Sequence, residues 1–505
     1  MSTESISVGD TTLFGGCRAF IVALSAACAA VTGPAAAEPL LTPNRMAIVD
    51  GRPRFLVGLY ENPKDDAVLS EAARAGFNLI RSGASTASLD RLHAHGVKAW
   101  VNLGGALDLS GDTEAAKQRL LKTVNAVKDH PALLIWEGPD EALWNVWYGR
   151  HLNYFAGVEF PAMRKAVEQA RSGQGPTSQH ARGLGRMADR CKALFDRGLW
   201  QAFDAQRAAF WKRAGTKPPR PDATMADRIA ASRRLADGMT RGIEAVRQAD
   251  PAHLIWLNHA PRNSIASMRL FNRAADMAGC DIYPVPENHA PGHSDLRTRR
   301  LISVGDYTER MRAAAPGKSC AMVLQGFGWR DIHDSAKKPP KEIGIGRRPN
   351  YRESRFMAFD AIVHGANAIM YWGTAYIEKD SRLWTDLLRL ARELKPLEPA
   401  LVAPTSQSSV EVVSDESFGS TDGGGIVAML KQVGDDYVLI AVNETPHGLA
   451  FEVKNLPEAL EGKQLHRLCT DESVLVKGRS FRDGIRGTEV HVYATSRRFE
   501  PKAKP

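Results

Sequence analysis

Residues 132–141 read ALLIWEGPDE, in which an apolar run leads into a Gly-Pro turn that carries three carboxylates beside Trp136. A short apolar run that ends at a turn is typical of a buried strand in a parallel sheet. Acidic side chains at the carboxyl end of such a strand often belong to a catalytic site. A second interpretation stays open, in which Glu137, Asp140 and Glu141 only stabilise the start of the next helix.

Short apolar runs of this kind recur along the chain and alternate with amphipathic segments. The runs cover 55–60, 77–81, 97–103, 132–136, 253–258, 278–283, 319–325 and 367–372. Between them, apolar residues at three- and four-residue spacing predict helices over 66–75, 113–127, 225–248, 304–314, 351–364 and 383–394. Eight strand–helix units predict an α/β fold, a closed (β/α)8 TIM barrel. No glycine-rich phosphate loop follows the first run, so a nucleotide site is not expected.

Three further segments complete the predicted domain organisation. Residues 1–37 contain an alanine-rich apolar run and read as a secretory signal peptide, which predicts a periplasmic or secreted protein. The barrel domain then covers 38–404, with a helical insertion at about 145–220 after the fourth strand. Alternating apolar residues separated by polar turns predict a β-sandwich over 405–505. We expect no stable membrane insertion, because no other segment is long and apolar enough to span a bilayer.

The insertion is rich in aromatic residues, and two interpretations of them stay open. Trp144, Trp147, Tyr148 and Tyr154 could be platforms for a ligand beside the barrel mouth, or they could pack the insertion's own helices.

The net charge of +9 favours anionic partners but is spread along the chain. Nucleic acid is not predicted as a partner, because the sequence has no concentrated basic stripe and no recognisable binding module. The four cysteines beyond the signal peptide fit no zinc or redox motif, and their spacing does not determine a disulfide pairing. The sequence gives no prediction of the oligomeric state.

Polar and aromatic residues follow the other predicted strands, and the carboxyl ends of barrel strands meet at one face. Amides, carboxylates and indoles in one ring suit a carbohydrate, which needs many polar contacts together with stacking surfaces. The predicted substrate-binding residues are Glu61, Trp136, Asp140, Asn258, Tyr283, Gln325, Trp329, Tyr371 and Trp372.

These segments resemble the glycoside hydrolases of the large (β/α)8 clan that contains β-galactosidases and cellulases. The resemblance covers roughly residues 45–400 and rests on 136–141, 281–284, 324–329 and 353–372. It implies that Glu141 is the acid/base. Retaining members of the clan carry a nucleophilic glutamate after strand seven, where this chain has Gln325. A non-standard second carboxylate is therefore predicted, Asp281 or Glu137.

The predicted function is that of an exported glycoside hydrolase that cleaves O-glycosidic bonds in a polysaccharide or oligosaccharide. The alternative is a non-catalytic carbohydrate-binding or envelope protein on a degenerate glycosidase barrel. No cofactor and no metal are predicted, although His289 and His293 lie near acidic residues in a proline-containing loop. Glu353 is most simply interpreted as a helix-capping residue.

Overall fold

The computed structural model describes residues 39–111, 113–146, 153–175, 178–197, 199–261, 263–287, 298–335, 346–406, 410–414 and 425–502. The predicted signal peptide lies outside these residues, as do Trp147, Tyr148, His289 and His293.

The predicted (β/α)8 barrel is confirmed. Eight parallel strands close on themselves in chain order, with the last strand paired to the first. The strands are β1 (Leu56–Leu59), β2 (Leu79–Ser82), β3 (Lys98–Asn102), β4 (Leu133–Glu137), β5 (Leu254–His259), β6 (Met277–Cys280), β7 (Ser319–Gln325) and β8 (Ala368–Trp372). A two-stranded hairpin, Ala47–Val49 with Arg52–Arg54, precedes them. The strands are nearly continuous apolar runs because both of their faces are buried.

Helices cover the outside of the barrel. They are α1 (Asp66–Ala75), α2 (Thr86–Ala94), α3 (Thr113–Val127), α7 (Met225–Ala249), α8 (Ile265–Asn272), α9 (Ser303–Ala314), α11 (Tyr351–Val363) and α12 (Arg382–Val402). The short helix α10 (Trp329–Ser335) lies instead in the loop after β7. Glu353 forms a capping box with Asn350 at the start of α11, and Arg347 also binds its carboxylate. The capping interpretation of Glu353 is therefore confirmed.

The insertion after β4 is a helical subdomain with a core of its own. Its helices are α4 (Phe160–Gln174), α5 (Gln179–Asp196) and α6 (Trp200–Ala214). Tyr154 is buried in this core with Phe155, Phe160 and Phe203. Its ring therefore packs the insertion, as the second of the two interpretations predicts.

The predicted β-sandwich follows α12. One sheet has three antiparallel strands, β9 (Glu411–Ser414), β12 (Leu449–Lys454) and β15 (Phe481–Ile485). The other sheet has five strands, β10 (Ile426–Val433), β11 (Asp436–Asn443), β16 (Val490–Ala494), β13 (Gln464–Arg467) and β14 (Ser473–Leu475). A two-residue turn joins β10 to β11, and Gly434 supplies its positive φ of 62°. An apolar core lies between the two sheets and holds them together. Strand β11 also packs on α11 of the barrel.

None of the helices in the described residues is long and apolar enough to cross a membrane. The four cysteines of the described ranges, Cys191, Cys280, Cys320 and Cys469, are free thiols.

Candidate functional site

Four carboxyl groups meet at the carboxyl face of the barrel. Glu137 is the last residue of β4, Asp140 and Glu141 lie in the turn after it, and Asp281 follows β6. A Cβ atom at Gly138 would lie 2.3 Å from the Cδ2 of Leu257, so a larger residue in this turn would require the Leu257 side chain to move. Glu141 adopts a left-handed backbone, with φ of 46°, that is unusual for a residue other than glycine. Strained backbone of this kind often occurs at functional sites.

Glu137 points into the barrel and is fully buried. Its Oε2 accepts hydrogen bonds from Asn102 at 2.7 Å and from the Trp100 indole at 3.2 Å, and its Oε1 accepts from Tyr60 at 3.3 Å. Arg81 lies 3.5 Å away, with 39% of its side chain exposed. Burial raises the pKa of Glu137 to about 7, although Arg81 opposes this shift. The group therefore exchanges its proton near neutral pH.

Asn258 joins two of the other carboxyl groups. Its Nδ2 donates to Asp140 and to Asp281, at 2.8 Å in both cases. The side chain of Asp281 also forms a hydrogen bond with Glu141. The backbone N–H of Glu141 donates to the carbonyl of Asn258 at 3.2 Å. The turn after β4 is thus fixed to the ends of β5 and β6 by polar contacts.

Burial raises the pKa of Glu141, Asp281 and Asp140, and mutual repulsion adds to the shift at Glu141 and Asp281. Burial, followed by the charge of Asp140, raises the pKa of Glu141 to about 7. Burial raises the pKa of Asp281 well above its ordinary value, and Asp140 and Glu141 raise it further. Asp140 reaches solvent, yet the surrounding protein desolvates its carboxyl and raises its pKa, while Asn258 and Arg81 favour its ionised form. Two acids in contact share one proton, because both cannot ionise together.

The contact between Glu141 and Asp281 limits what the pair can do. A retaining glycosidase holds its two carboxyl groups about 5 to 5.5 Å apart, and an inverting one about 6.5 to 9.5 Å apart. Two hydrogen-bonded carboxyl groups are closer than either spacing. In this arrangement Asp281 is not the opposing carboxylate that the sequence suggested. It is placed to adjust the proton affinity of Glu141.

Aromatic rings form one wall of the mouth. Tyr283 and Trp372 are stacked, with ring centroids 5.5 Å apart, and Phe327 lies edge-on to both. Trp329 packs on Tyr283 and Phe327, and its buried Nε1 has no hydrogen-bond acceptor among the described residues. Trp372 is partly exposed, whereas Tyr283 and Trp329 are 3% and 8% exposed. Trp372 is therefore the ring of this wall that offers the most surface to a ligand.

Glu61 lies on another side of the opening. Its carboxylate forms an ion pair with Lys379 at 2.6 Å, and Lys379 also donates to the carbonyl of Thr374. The pair links the loop after β1 to the loop after β8. Glu61 is only partly buried, and its contact with a substrate stays a prediction.

Two of the predicted aromatic contacts are wrong, because the side chains point away from the mouth. Trp136 is fully buried, and its Nε1 donates to Asp250 at 2.7 Å in the helical layer. Tyr371 is 1% exposed and packs edge-on against Phe77. Successive residues of a strand face opposite sides, so Trp136 and Tyr371 face outward when the neighbouring residues Glu137 and Trp372 face inward.

Gln325 has a structural role. It is fully buried, its Nε2 donates to the carbonyls of Val285 and Phe327, and its Oε1 accepts from the N–H of Val285. These bonds hold the loop after β6 against the end of β7. Because its amide group is used in this way, Gln325 is not placed to bind a substrate, contrary to the prediction.

Arg81 is the residue of the site that sequence reasoning missed. It lies near the end of β2, beside Glu137, and its guanidinium stacks over the ring of Tyr60 at 5.6 Å. The signal was present, since the predicted run 77–81 ends in arginine and places a cation at the face where four acids converge. Asn102, at the end of β3, binds Glu137 as well.

A second acidic cluster lies between α11 and the sandwich. Asp360, His364 and Glu444 place ligand atoms within 4.8 Å of one another. However, both ring nitrogens of His364 are bonded to carboxylates, Nδ1 to Glu309 at 2.8 Å and Nε2 to Glu444 at 2.7 Å. These acids raise the pKa of His364 to about 9 against the effect of burial. A charged imidazolium has no lone pair for a metal, so the cluster is an ion network between the domains.

No protein-family model matches the sequence, and no curated protein matches it. The structure is similar to a β-galactosidase from Bacillus circulans sp. alkalophilus, with 9% identity over 89% of this chain and 100% of that chain, at a TM-score of 0.49. The β-galactosidase Gan42B from G. stearothermophilus has 10% identity over 90% of this chain and 99% of its own, at a TM-score of 0.45. An α-amylase from Geobacillus thermoleovorans has 9% identity over 87% and 98%, at a TM-score of 0.45.

The resemblance to glycoside hydrolases is thus present in the structure as a distant similarity. At these identities and TM-scores we infer the function from the side chains of this chain.

Proposed function

We propose that the protein hydrolyses glycosidic bonds of a carbohydrate, with Glu141 as the general acid. One observation carries the proposal: a half-buried carboxyl with a pKa of about 7 lies at the barrel mouth. A general acid works best when its pKa is near the working pH, because it is then protonated and still releases its proton readily. The partly exposed ring of Trp372, which is stacked on Tyr283, supplies an apolar surface for a sugar ring.

The second carboxylate is proposed to be Asp140. Burial raises the pKa of Asp140, but the hydrogen bond from Asn258 and the charge of Arg81 oppose that shift, and the side chain reaches solvent. Glu137 is fully buried beneath it, and Asp281 is in contact with Glu141. In this assignment Asp140 polarises the attacking water or stabilises developing positive charge at the sugar, while Glu141 protonates the leaving oxygen. Asp281 and Asn258 are positioning residues.

A carbohydrate-binding protein without turnover is the second candidate. It is favoured by Gln325, which stands where a nucleophilic glutamate would be and is bound to the backbone. The apolar amino terminus supports a further proposal, which holds for both candidate functions: the protein is exported and acts outside the cytoplasm.

The substitution Glu141→Gln separates the two candidates. For a hydrolase we expect turnover on a panel of aryl glycosides and polysaccharides to fall about 10²- to 10⁴-fold, because the amide cannot donate a proton in the same way. Ligand affinity should change little, since size and polarity are kept. The wild-type rate should also decline as the pH rises through about 7, where Glu141 loses its proton.

A matched control is Glu244→Gln, which changes an exposed glutamate on α7. Equal turnover in Glu141→Gln and wild type would refute the assignment of Glu141. Saturable carbohydrate binding by the wild type without turnover on any member of the panel would support the binding protein instead.

A further inference from the structure

A cavity of about 500 Å³ lies at the opposite end of the barrel from the four acids. Its walls include the residues that lead into β7 and β8, Gly317 and Asn367 among them. Leu401 on α12 and Met429 on β10 close it from the side of the sandwich. The cavity is therefore built jointly by the amino-terminal face of the barrel and the first long strand of the sandwich. Its volume is in the range of sites for small organic ligands.

The charged residues that line this cavity all have the same sign. They are Arg45, Arg312, Lys318 and Lys431, and no aspartate or glutamate is among the lining residues. In the described part of the chain, none of the four forms an ion pair with a carboxylate within 4.0 Å. The chain thus places four cations from four different segments on one concave surface, and none of the lining residues is a carboxylate that neutralises them.

Lys431 is the most unusual of these cations, because it is 4% exposed. Its Nζ donates to the backbone carbonyl of Ala403 at 2.8 Å. Burial lowers its pKa to about 8, and no acidic neighbour offsets that shift. A buried lysine without a counter-charge is costly to the folded state, and a bound anion would remove that cost.

Lys318 shows the same electrostatic imbalance. Burial lowers its pKa, Asp276 opposes the shift, and Arg247 and Arg45 add to it. Asp276 is already paired with Arg247 at 2.6 Å, so its charge is largely neutralised. The ammonium group of Lys318 donates to the backbone carbonyls of Ala275 and Arg273.

Two glycines shape the wall beside the arginines. A Cβ atom at Gly365 would lie 2.9 Å from the Cζ of Arg312, and one at Gly317 would lie 3.8 Å from an amino nitrogen of Arg45. Both glycines have positive φ, 96° and 72°. Arg312 can therefore lie close to the backbone at Gly365, and its Nη1 donates to the carbonyl of His364 at 3.2 Å.

We propose that this cavity binds a small organic oxyanion, a molecule of monosaccharide size that carries a phosphate or a carboxylate. The guanidinium groups suit either oxyanion, because their paired N–H donors match two oxygens. The apolar side chains of Met429 and Leu401 would contact the carbon skeleton of the ligand. The proposal does not depend on the activity at the barrel mouth, which lies at the other end of the strands.

Isothermal titration calorimetry with three sugars of similar size tests the site. Glucose 6-phosphate carries a phosphate, glucuronate carries a carboxylate, and glucose is the uncharged control. We expect at least one of the two anions to bind and glucose not to bind. Binding should weaken as salt is raised, since exposed cations contribute to it. Heat from glucose 6-phosphate alone assigns the site to phosphate ligands, and heat from glucuronate alone assigns it to carboxylates.

Two variants locate the binding. Lys431→Met keeps the aliphatic stem and should weaken the bound anion at least tenfold. Arg45→Gln changes an exposed residue, so it gives the same test even if a change at the buried lysine prevents folding. Lys463→Met, at an exposed lysine of the sandwich outside the cavity, should leave the affinity unchanged. The proposal is overturned if neither anion binds, or if both cavity variants bind as tightly as the wild type.

Discussion

Glu137 in the barrel and Glu159 in the helical insertion are both fully buried glutamates, and they differ in their counter-charge. Glu159 receives Arg207 through two hydrogen bonds, 2.5 Å to Oε1 and 3.1 Å to Oε2, and Arg207 is itself 4% exposed. Tyr154 and Trp211 donate to the same carboxylate. Glu137 accepts hydrogen bonds from neutral donors, and the partly exposed Arg81 lies 3.5 Å from its carboxylate.

The difference separates a carboxylate held in a buried ion pair from buried acids that have a raised pKa. At Glu159 four hydrogen bonds, two of them from the buried cation Arg207, bind the carboxylate, so the group is part of a buried ion pair. At Glu137 and Glu141 burial prevails and the pKa reaches about 7. The carboxyl groups at the mouth are therefore poised to exchange protons, whereas the one in the insertion holds helices together.

Removing the carboxylate at Glu159 should have the largest effect on stability. In Glu159→Gln the guanidinium of Arg207 stays buried without a counter-charge, which costs about 3 to 5 kcal/mol. Urea denaturation followed by circular dichroism should show a lower free energy of unfolding, or a separate early transition of the insertion. Glu168→Gln, an exposed glutamate on α4, is the matched control and should behave as the wild type. A loss below about 1 kcal/mol would show that the pair does not hold the insertion together.

The matching change, Glu137→Gln, should raise the free energy of unfolding at pH 8, whereas Glu159→Gln should lower it. A shift of the pKa from 4.5 to about 7 corresponds to a cost of about 3 kcal/mol for burying the ionised form. Because the folded state holds the proton more tightly, the wild type loses stability as the pH rises from about 4.5 through about 7. Glu137→Gln has no proton to lose, so it should be more stable than wild type at pH 8 by up to about 3 kcal/mol.

Measurement at acidic pH supplies the control for this prediction. Near pH 4 both proteins carry a neutral group at this position, and their free energies of unfolding should agree. A variant that is less stable than wild type at pH 8 would contradict the account, because it would mean that the ionised carboxylate stabilises the barrel.

The sequence predicted the barrel well because each strand and helix carries its own pattern. The apolar run 319–325 coincides with β7, and the periodicity over 66–75 and 113–127 coincides with α1 and α3. The order of strand ends also predicted which acids would meet, since the carboxyl ends of a closed parallel barrel share one face. Glu137, Asp140, Glu141 and Asp281 do converge there.

Side-chain direction and pairing could not be predicted in the same way. Trp136 and Glu137 are adjacent in sequence but face opposite sides of β4, and an apolar run buried on both faces does not show which side is inward. The role of Gln325 depends on Val285, which is 40 residues away and meets it only in the folded chain. The contact between Glu141 and Asp281 forms only in the folded chain, and no spacing in the sequence encodes it.

A substitution of Arg81, which lies beside Glu137, should have the smallest effect of these changes. Its charge lowers the pKa of Glu137, but 39% of its side chain is exposed and solvent screens the interaction. Arg81→Gln should therefore raise the pKa of Glu137 by less than about one unit, since an exposed ion pair contributes at most about 1 kcal/mol. The pKa can be followed by ¹³C NMR of the glutamate side-chain carboxyl across a pH titration.

Arg119→Gln, at an exposed arginine on α3, is the matched control and should leave the titration unchanged. A lower pKa of Glu137 in Arg81→Gln would mean that Arg81 does not act as a counter-charge. An increase of several units would mean that Arg81 is a strong counter-charge for Glu137, as Arg207 is for Glu159. The two buried glutamates would then differ only in degree.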